Sequence, residues 1–278
     1  MSCMQGWANR ERAMSGRLQD KVALVVGAGS IAEGWGNGKA TAVLFAREGA
    51  KVFAVDINRD AVQTTVDIIA GEGGTARAHQ GDATISAEVK AMVEACMEAY
   101  GRIDILQNNV GGSIPGGPVD ISEEDWDANI AYNMKPAFLA CKYVIPIMER
   151  QGGGSIVNIS SVAGLRYIDR PLLSYQAAKA GLQQFSRGVA IQYAKAGIRS
   201  NTVVPGLMNT PLVHHRLIDK NDPDSEARVI ARRDAFSPTG KMGDAWDVAY
   251  AALFLASDES KYVNATEIVV DGGLTAKS

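Results

Sequence analysis

The stretch Ser174-Tyr175-Gln176-Ala177-Ala178-Lys179 sets a phenol and an ammonium four residues apart, and the run from Ala180 to Ser186 continues a helical pattern of small and apolar residues. Positions i and i+4 share a helix face, so both side chains should point into one space. A free phenol titrates near about 10 and a free lysine near about 10.4; a nearby ammonium favours the phenolate, which makes Tyr175 a proton donor and acceptor nearer neutrality. Any helix can also carry such a pair in solvent, and taken alone that plainer reading wins. Of the tyrosines in this chain, however, only Tyr175 has a lysine four positions on, and its surroundings fit a nucleotide-dependent enzyme.

Those surroundings begin with Val22-Ala23-Leu24-Val25-Val26, a short continuous apolar run of the kind that forms a strand buried on both faces. A glycine-rich turn from Gly27 to Gly38 follows, then a helical stretch from Lys39 to Gly49. In that order the turn exposes backbone N–H groups and a positive helix end to a pyrophosphate. Lys51 to Val55 reads as a second strand ending at Asp56, twenty residues after Gly36, where a carboxylate accepts hydrogen bonds from an adenosine ribose. The same carboxylate repels a 2′-phosphate and Ile57 offers no cation in its place, which argues for NAD over NADP. The alternative for Asp56 is a helix cap or a loop aspartate.

The alternation continues with a helix from Ala61 to Ala70, a strand near Ala76 to Gln80, a helix from Ala87 to Tyr100 and a strand from Ile103 to Gln107. A long helix from about Glu124 to Glu149 contains Asn133, and a strand from Ser155 to Ile159 ends at Ser160-Ser161 before the Tyr175 helix. A strand from Ile198 to Val204, a helix from Asp244 to Ser257 and a strand from Glu267 to Val270 complete it. The order predicts a single α/β domain of Rossmann type over residues 17–278, a doubly wound sheet of about seven parallel strands with helices on both faces. Ligands bind such sheets beyond the strand C-termini. Asp82, beside Ala83, can there bond an adenine amine or cap the helix that starts near Ser86. The polar, charge-rich stretch from about Pro211 to Lys241 interrupts the alternation; its length suggests a mobile lid over a substrate, within about 208–241, or a disordered surface insertion.

Composition narrows the classes of function. A net charge of −3 over 278 residues gives no electrostatic case for nucleic acid or an anionic membrane surface. Cys3, Cys96 and Cys141 form neither a close-spaced ligand pair nor an even disulfide framework, which fits a reducing cytoplasm. His79, His214 and His215 lack metal-ligand spacing, so no metal site is expected. Residues 1–16 are polar, without the apolar core of a signal peptide, and read as a disordered extension with Met14 as an alternative start; no apolar run is long enough to span a bilayer.

From about Leu18 to Gly273 the chain resembles the short-chain dehydrogenase/reductase family, in its main branch with tyrosine and lysine four residues apart. Gly27 with Gly36-Asn37-Gly38 is similar to the nucleotide loop, and Asn108-Asn109-Val110-Gly111 to the family's Asn-Asn-Ala-Gly. Asn133, Ser161, Tyr175 and Lys179 match the catalytic positions, and Pro205-Gly206 through Met208 to Thr210 the segment that holds the nicotinamide carboxamide. The resemblance implies NAD held by Gly27, Ser30, Gly36, Asn37, Gly38, Asp56, Asp82, Ala83, Asn108, Val110, Tyr175, Lys179, Pro205, Gly206, Met208 and Thr210. It implies reversible hydride transfer at a carbinol carbon: Tyr175 exchanges the hydroxyl proton, Ser161 stabilises the oxyanion, Lys179 holds the nicotinamide ribose and lowers the Tyr175 pKa, and Asn133 holds a water linking Lys179 to solvent. It further implies a homotetramer or homodimer, built on the helices from Asp125 to Glu149 and Ser174 to Ala194. Three departures stand out. The glycine loop is longer than usual around Ser30 to Trp35. Ser161 lies fourteen residues before Tyr175, one more than is usual, which leaves Ser160 as a second candidate. The usual Thr-Gly before the last strand reads Ala265-Thr266. The expected activity is NAD-dependent interconversion of a secondary alcohol and a ketone. The alternatives are reduction of a 3-oxoacyl thioester on acyl-carrier protein, an enoyl reductase, whose tyrosine and lysine stand further apart, and a non-catalytic nucleotide sensor.

Overall fold

A strand that is apolar throughout needs cover above and below, and Val22–Val26 (β1) is buried at every position. With Lys51–Asp56 (β2), Thr75–Gln80 (β3), Ile105–Asn108 (β4), Gly154–Ile159 (β5), Ile198–Pro205 (β6) and Glu267–Val270 (β7) it forms one seven-stranded sheet in the order β3-β2-β1-β4-β5-β6-β7. All neighbouring strands run parallel, so every connection crosses over a face of the sheet, as a doubly wound fold requires. The computed structural model describes residues 16–168, 170–219 and 221–277. The expected extension at 1–16, apart from Gly16, and Cys3 lie outside them.

Eight helices follow in chain order among these residues: Asn37–Arg47 (α1), Arg59–Gly71 (α2), Ser86–Tyr100 (α3), Glu123–Gln151 (α4), Leu173–Tyr193 (α5), Pro211–Leu217 (α6), Ser225–Phe236 (α7) and Ala245–Ala256 (α8). Successive strand residues serve opposite cores because side chains alternate across the sheet. Ala23 and Val25 join Val157, Phe45, Ile69 and Leu253 on the face covered by α1, α2 and α8. Val22, Leu24 and Val26 join Ile156, Met92, Met148 and Val189 under α3, α4 and α5.

Local chemistry sets the helix starts. Asn58 accepts from the amides of Asp60 and Ala61 ahead of α2, Ser122 accepts from Asp125 ahead of α4, and Asp244 with Asp247 forms a reciprocal cap on α8; each satisfies amides that have no partner within the helix. By contrast α1 begins at Gly36 with no side-chain cap. Its first amides are left for another acceptor.

Two expectations change. The fourth strand starts at Ile105 rather than Ile103, since the Ile103 amide instead bonds Gln151 Oε1 at the end of α4 (3.0 Å). The described residues of the stretch from Pro211 to Lys241 include two helices in place of a structureless insertion: Pro211, whose missing N–H costs nothing at a helix start, opens α6, and α7 follows. No helix among the described residues is long and apolar enough to cross a membrane.

Candidate active site

The C-terminal ends of β1, β2 and β4 build one half of a crevice. There the glycines admit close approaches. A Cβ on Gly38 would overlap the Gly27 carbonyl oxygen, so only glycine lets α1 start directly against the end of β1. Gly27 itself has φ 83°, in the left-handed region. Asn109 Nδ2 bonds the Gly27 carbonyl (3.0 Å), tying the end of β4 to the turn. Asp56 lies at the rim: its Oδ2 accepts from the Gly29 amide (2.9 Å) and its Oδ1 from the Asn58 amide (3.0 Å). Each oxygen keeps a lone pair, enough to receive a pair of ribose hydroxyls. The Asn37 Oδ1 atom is buried with no protein partner, beside the uncapped amides of α1. These features fit a dinucleotide whose pyrophosphate lies against the turn and whose adenosine ribose meets Asp56.

The other half is built by β5 and α5. Lys179 is almost fully buried (3% exposed) and its Nζ donates to the Ile159 carbonyl at the end of β5 (3.0 Å). A Cβ on Gly111 would stand 2.6 Å from that Nζ and 2.7 Å from Asn133 Oδ1, so glycine at 111 lets α4, α5 and the β4 loop converge. Asn133 grips Gly112 through both main-chain groups, accepting from its amide (3.1 Å) and donating to its carbonyl (2.8 Å). Tyr175 stands one turn before Lys179, whose Nζ is 5.7 Å from the ring centre. Ser161 lies close enough to the Tyr175 hydroxyl to favour its phenolate.

Electrostatics here run differently from the simple pairing of phenol and ammonium. Burial pushes the Tyr175 phenol up, and the hydrogen bond from Ser161 and the charge of Arg216 only partly offset that. Burial also pulls Lys179 down, to about 8. Desolvation disfavours both charged forms, so the expected lowering of Tyr175 by Lys179 is not the dominant effect.

The ambiguity between the two serines has a geometric answer. Ser160 Oγ donates to the Lys179 carbonyl (2.9 Å) and accepts from Gln183 Nε2 (3.0 Å), so it fastens α5 to β5. Ser161 faces Tyr175. A short turn from Val162 to Gly164 follows Ser161.

Other expected positions lie apart from the crevice or act through the main chain. Asn108 turns its side chain under the sheet, where Nδ2 donates to Asn158 Oδ1 (2.8 Å). Asp82 Oδ1 accepts from the amide and hydroxyl of Thr84 (2.8 and 2.7 Å), while α3 takes Ile85 as its cap position, so Asp82 is not the side-chain cap of that helix. Gly206 lies against Asp271, 2.6 Å from a would-be Cβ, and Met208 is buried beside Gly243. Thr210, with Ala32 to Trp35, Pro211 and His214, lines a cavity of 470 Å³ at the outer side of the glycine turn, where neither Tyr175 nor Lys179 reaches. Two residues escaped sequence reasoning. Asn129 supports Asn133 from one turn earlier, accepting from its Nδ2 (3.1 Å), and a second asparagine at i−4 was a usable signal. Arg216 of α6 seats its guanidinium at Gly112, and no spacing in the chain announces it.

The chain is similar to known proteins along most of its length. Residues 31–275 match the family model described as Enoyl-(Acyl carrier protein) reductase. The chain is 39% identical over 260 residues, 94% of its length and 98% of the relative's, to 2,5-dichloro-2,5-cyclohexadiene-1,4-diol dehydrogenase LinX of Sphingobium indicum. It is 40% identical over 258 residues, 93% of its length and 99% of the relative's, to 3-oxoacyl-[acyl-carrier-protein] reductase FabG of Thermotoga maritima. A crystal structure from Burkholderia xenovorans, assigned to the short-chain dehydrogenases/reductases, superposes with a TM-score of 0.90 at 48% identity, covering 95% of this chain and 100% of that one.

Proposed function

The chain belongs to the short-chain dehydrogenase/reductase family, and from that membership we propose that it is an NAD-dependent oxidoreductase interconverting a secondary alcohol and a ketone. The observation that carries this reading is that Tyr175 stands one turn before the buried Lys179, with Ser161 acting on its phenol and Gly111 against the Lys179 Nζ, at the strand ends where such sheets bind their ligands. Bound NAD supplies the carbon that takes hydride from the carbinol and returns it in reverse.

The side chains manage the proton and the charge. With its phenol pushed up by burial, Tyr175 rests protonated and is a ready donor to a ketone oxygen. In oxidation it takes the hydroxyl proton, and the Ser161 hydrogen bond favours its phenolate. Ser161 also donates to the oxygen on which charge develops, in a site from which water is largely excluded. Lys179 would hold the nicotinamide ribose hydroxyls. Asn133 fixes the Gly112 loop and, through the oxygen lone pair Gly112 leaves free, would hold the water that links Lys179 to solvent. Gly27, Ser30, Asn37, Gly38, Ala83, Val110 and Thr210 would line the cofactor, and Asp56 would select NAD by excluding a 2′-phosphate from beside a carboxylate. Helices α6 and α7 would serve as the lid.

Reduction of a 3-oxoacyl thioester is the second reading, supported by the likeness to the Thermotoga enzyme and opposed by Asp56, since that chemistry generally draws on NADPH. The enoyl reductase named by the family model is opposed by the three residues between Tyr175 and Lys179. Assembly as a homotetramer or homodimer in the cytoplasm completes the proposal; Trp126, Tyr132 and Phe138 of α4 and Ile191 of α5 are exposed, and light scattering at micromolar concentration would read the oligomer directly.

Tyr175→Phe tests the central assignment. Removing the hydroxyl and keeping the ring should lower turnover by about two to four orders of magnitude, the usual contribution of general acid–base catalysis, with NADH affinity by fluorescence titration little changed. Near wild-type turnover on the best alcohol or ketone found would refute the assignment and bring the sensor reading back.

A further inference from the structure

Arg216 reaches the Gly112–Ser113 segment from α6 as an exposed side chain. A Cβ on Gly112 would lie 2.7 Å from both Nη1 and Nη2, so the guanidinium rests against the Gly112 backbone. Nη1 donates to the Ser113 carbonyl (3.2 Å). No carboxylate among the described residues pairs with Arg216, whereas its neighbour on the same helix, His214, is matched by Glu226 (3.0 Å). A guanidinium offers a planar fork of donors that fits a carboxylate at two points, and here most of that fork has no protein acceptor. Its field reaches both Tyr175 and Tyr132.

Position along the β4 loop separates this cation from the cofactor. The glycine turn lies by Gly27 to Gly38, Lys179 meets the loop at Gly111, and Arg216 meets it one residue further on, at Gly112. An anion held by Arg216 therefore belongs on the substrate side of Lys179. Resting on the reading of Tyr175 as the proton donor, we propose that the substrate is a hydroxy acid or oxo acid and that Arg216 binds its carboxylate while Tyr175 addresses the carbinol or ketone oxygen. Arg216 is then a specificity-determining residue.

The test uses the full chain with NADH and a matched pair of ketones, 3-oxocyclohexanecarboxylate and its methyl ester, which differ in charge at one group. Wild type should favour the acid. Arg216→Met should lower kcat/KM for the acid at least about tenfold more than for the ester, chiefly through KM, as loss of a charge-assisted hydrogen bond requires, and Arg216→Lys should recover part of it. NADH affinity should be the same in wild type and Arg216→Met. A second readout needs no turnover: cyclohexanecarboxylate should bind the wild-type complex with NADH, followed by nicotinamide fluorescence, and bind the Arg216→Met complex at least about tenfold more weakly. Equal losses on acid and ester, weaker NADH binding in Arg216→Met, or a carboxylate affinity indifferent to residue 216 would each overturn the proposal. If carboxylate binds through Arg216 and no ketone or alcohol is turned over, the anion site stands and the dehydrogenase reading falls.

Discussion

The two walls of the crevice are held by different means. On the cofactor side the geometry is set by main chain against main chain: the start of α1 lies so close to the end of β1 that position 38 admits no side-chain atom, and β1 and β4 are buried at every residue. On the side of the proposed lid, α6 buries Pro211 and Val213 and α6 and α7 are otherwise tied by side-chain contacts. His214 reaches Asn209 (3.1 Å) and Glu226 (3.0 Å), Arg216 reaches Ser113, and only Ser225 of α7 is buried. A wall built from backbone can present one shape to one cofactor. A wall tied largely by side chains can be changed residue by residue, as would suit a side that selects a substrate.

The sharpest way to probe the rigid wall is Gly38→Ala. The added methyl has to displace the Gly27 carbonyl, and overpacking of this kind costs about 3 kcal/mol or more where backbone must move. For a chain of this size the unfolding midpoint should fall by roughly 6–12 °C, and NADH affinity should fall with it because the same shift carries the turn away from the pyrophosphate. A variant with an unchanged midpoint and full NADH affinity would show that the turn is plastic, and the contrast between the walls would fail.

A smaller effect is expected from Asp56→Asn, which keeps an acceptor for the Asn58 or Gly29 amide and removes the charge. The ratio of kcat/KM for NAD(H) over NADP(H) should shrink by about one to two orders of magnitude, as removal of a repelling charge at close range implies. If wild type uses NADP(H) as well as NAD(H), the carboxylate is a loop brace alone, a role its two amide contacts already support.

How much of this could be read beforehand follows the same division. The apolar runs of β1 and β5, the glycine turn and the Tyr175–Lys179 spacing are local patterns, and each appears where the residue order places it. What escaped depends on distant parts of the chain. Arg216 acquires its place from Ser113, 103 residues earlier. Helix α7, Ser-Glu-Ala-Arg-Val-Ile-Ala-Arg-Arg-Asp-Ala-Phe, has too few buried positions to display a helical stripe. The direction of the Tyr175 shift turns on burial, a property of the assembled fold that a two-residue spacing argument leaves out.

The smallest effect should come from the proposed lid. His214 and Glu226 join α6 to α7 at side chains 40% and 58% exposed, and pairs so placed contribute about 0.2–1 kcal/mol because water screens the attraction and ordering the side chains offsets it. Glu226→Gln should therefore move the unfolding midpoint by less than about 2 °C and leave NADH affinity as it was, since nothing between Gly27 and Gly38 is touched. Its imprint belongs on substrate: a lid tied less firmly spends more time open, which should raise KM by about threefold or less while kcat for the best substrate holds or rises. Should Glu226→Gln instead lose more than about tenfold in kcat/KM, the pair exceeds what its exposure allows, and the lid would have to be as tightly built as the wall it faces.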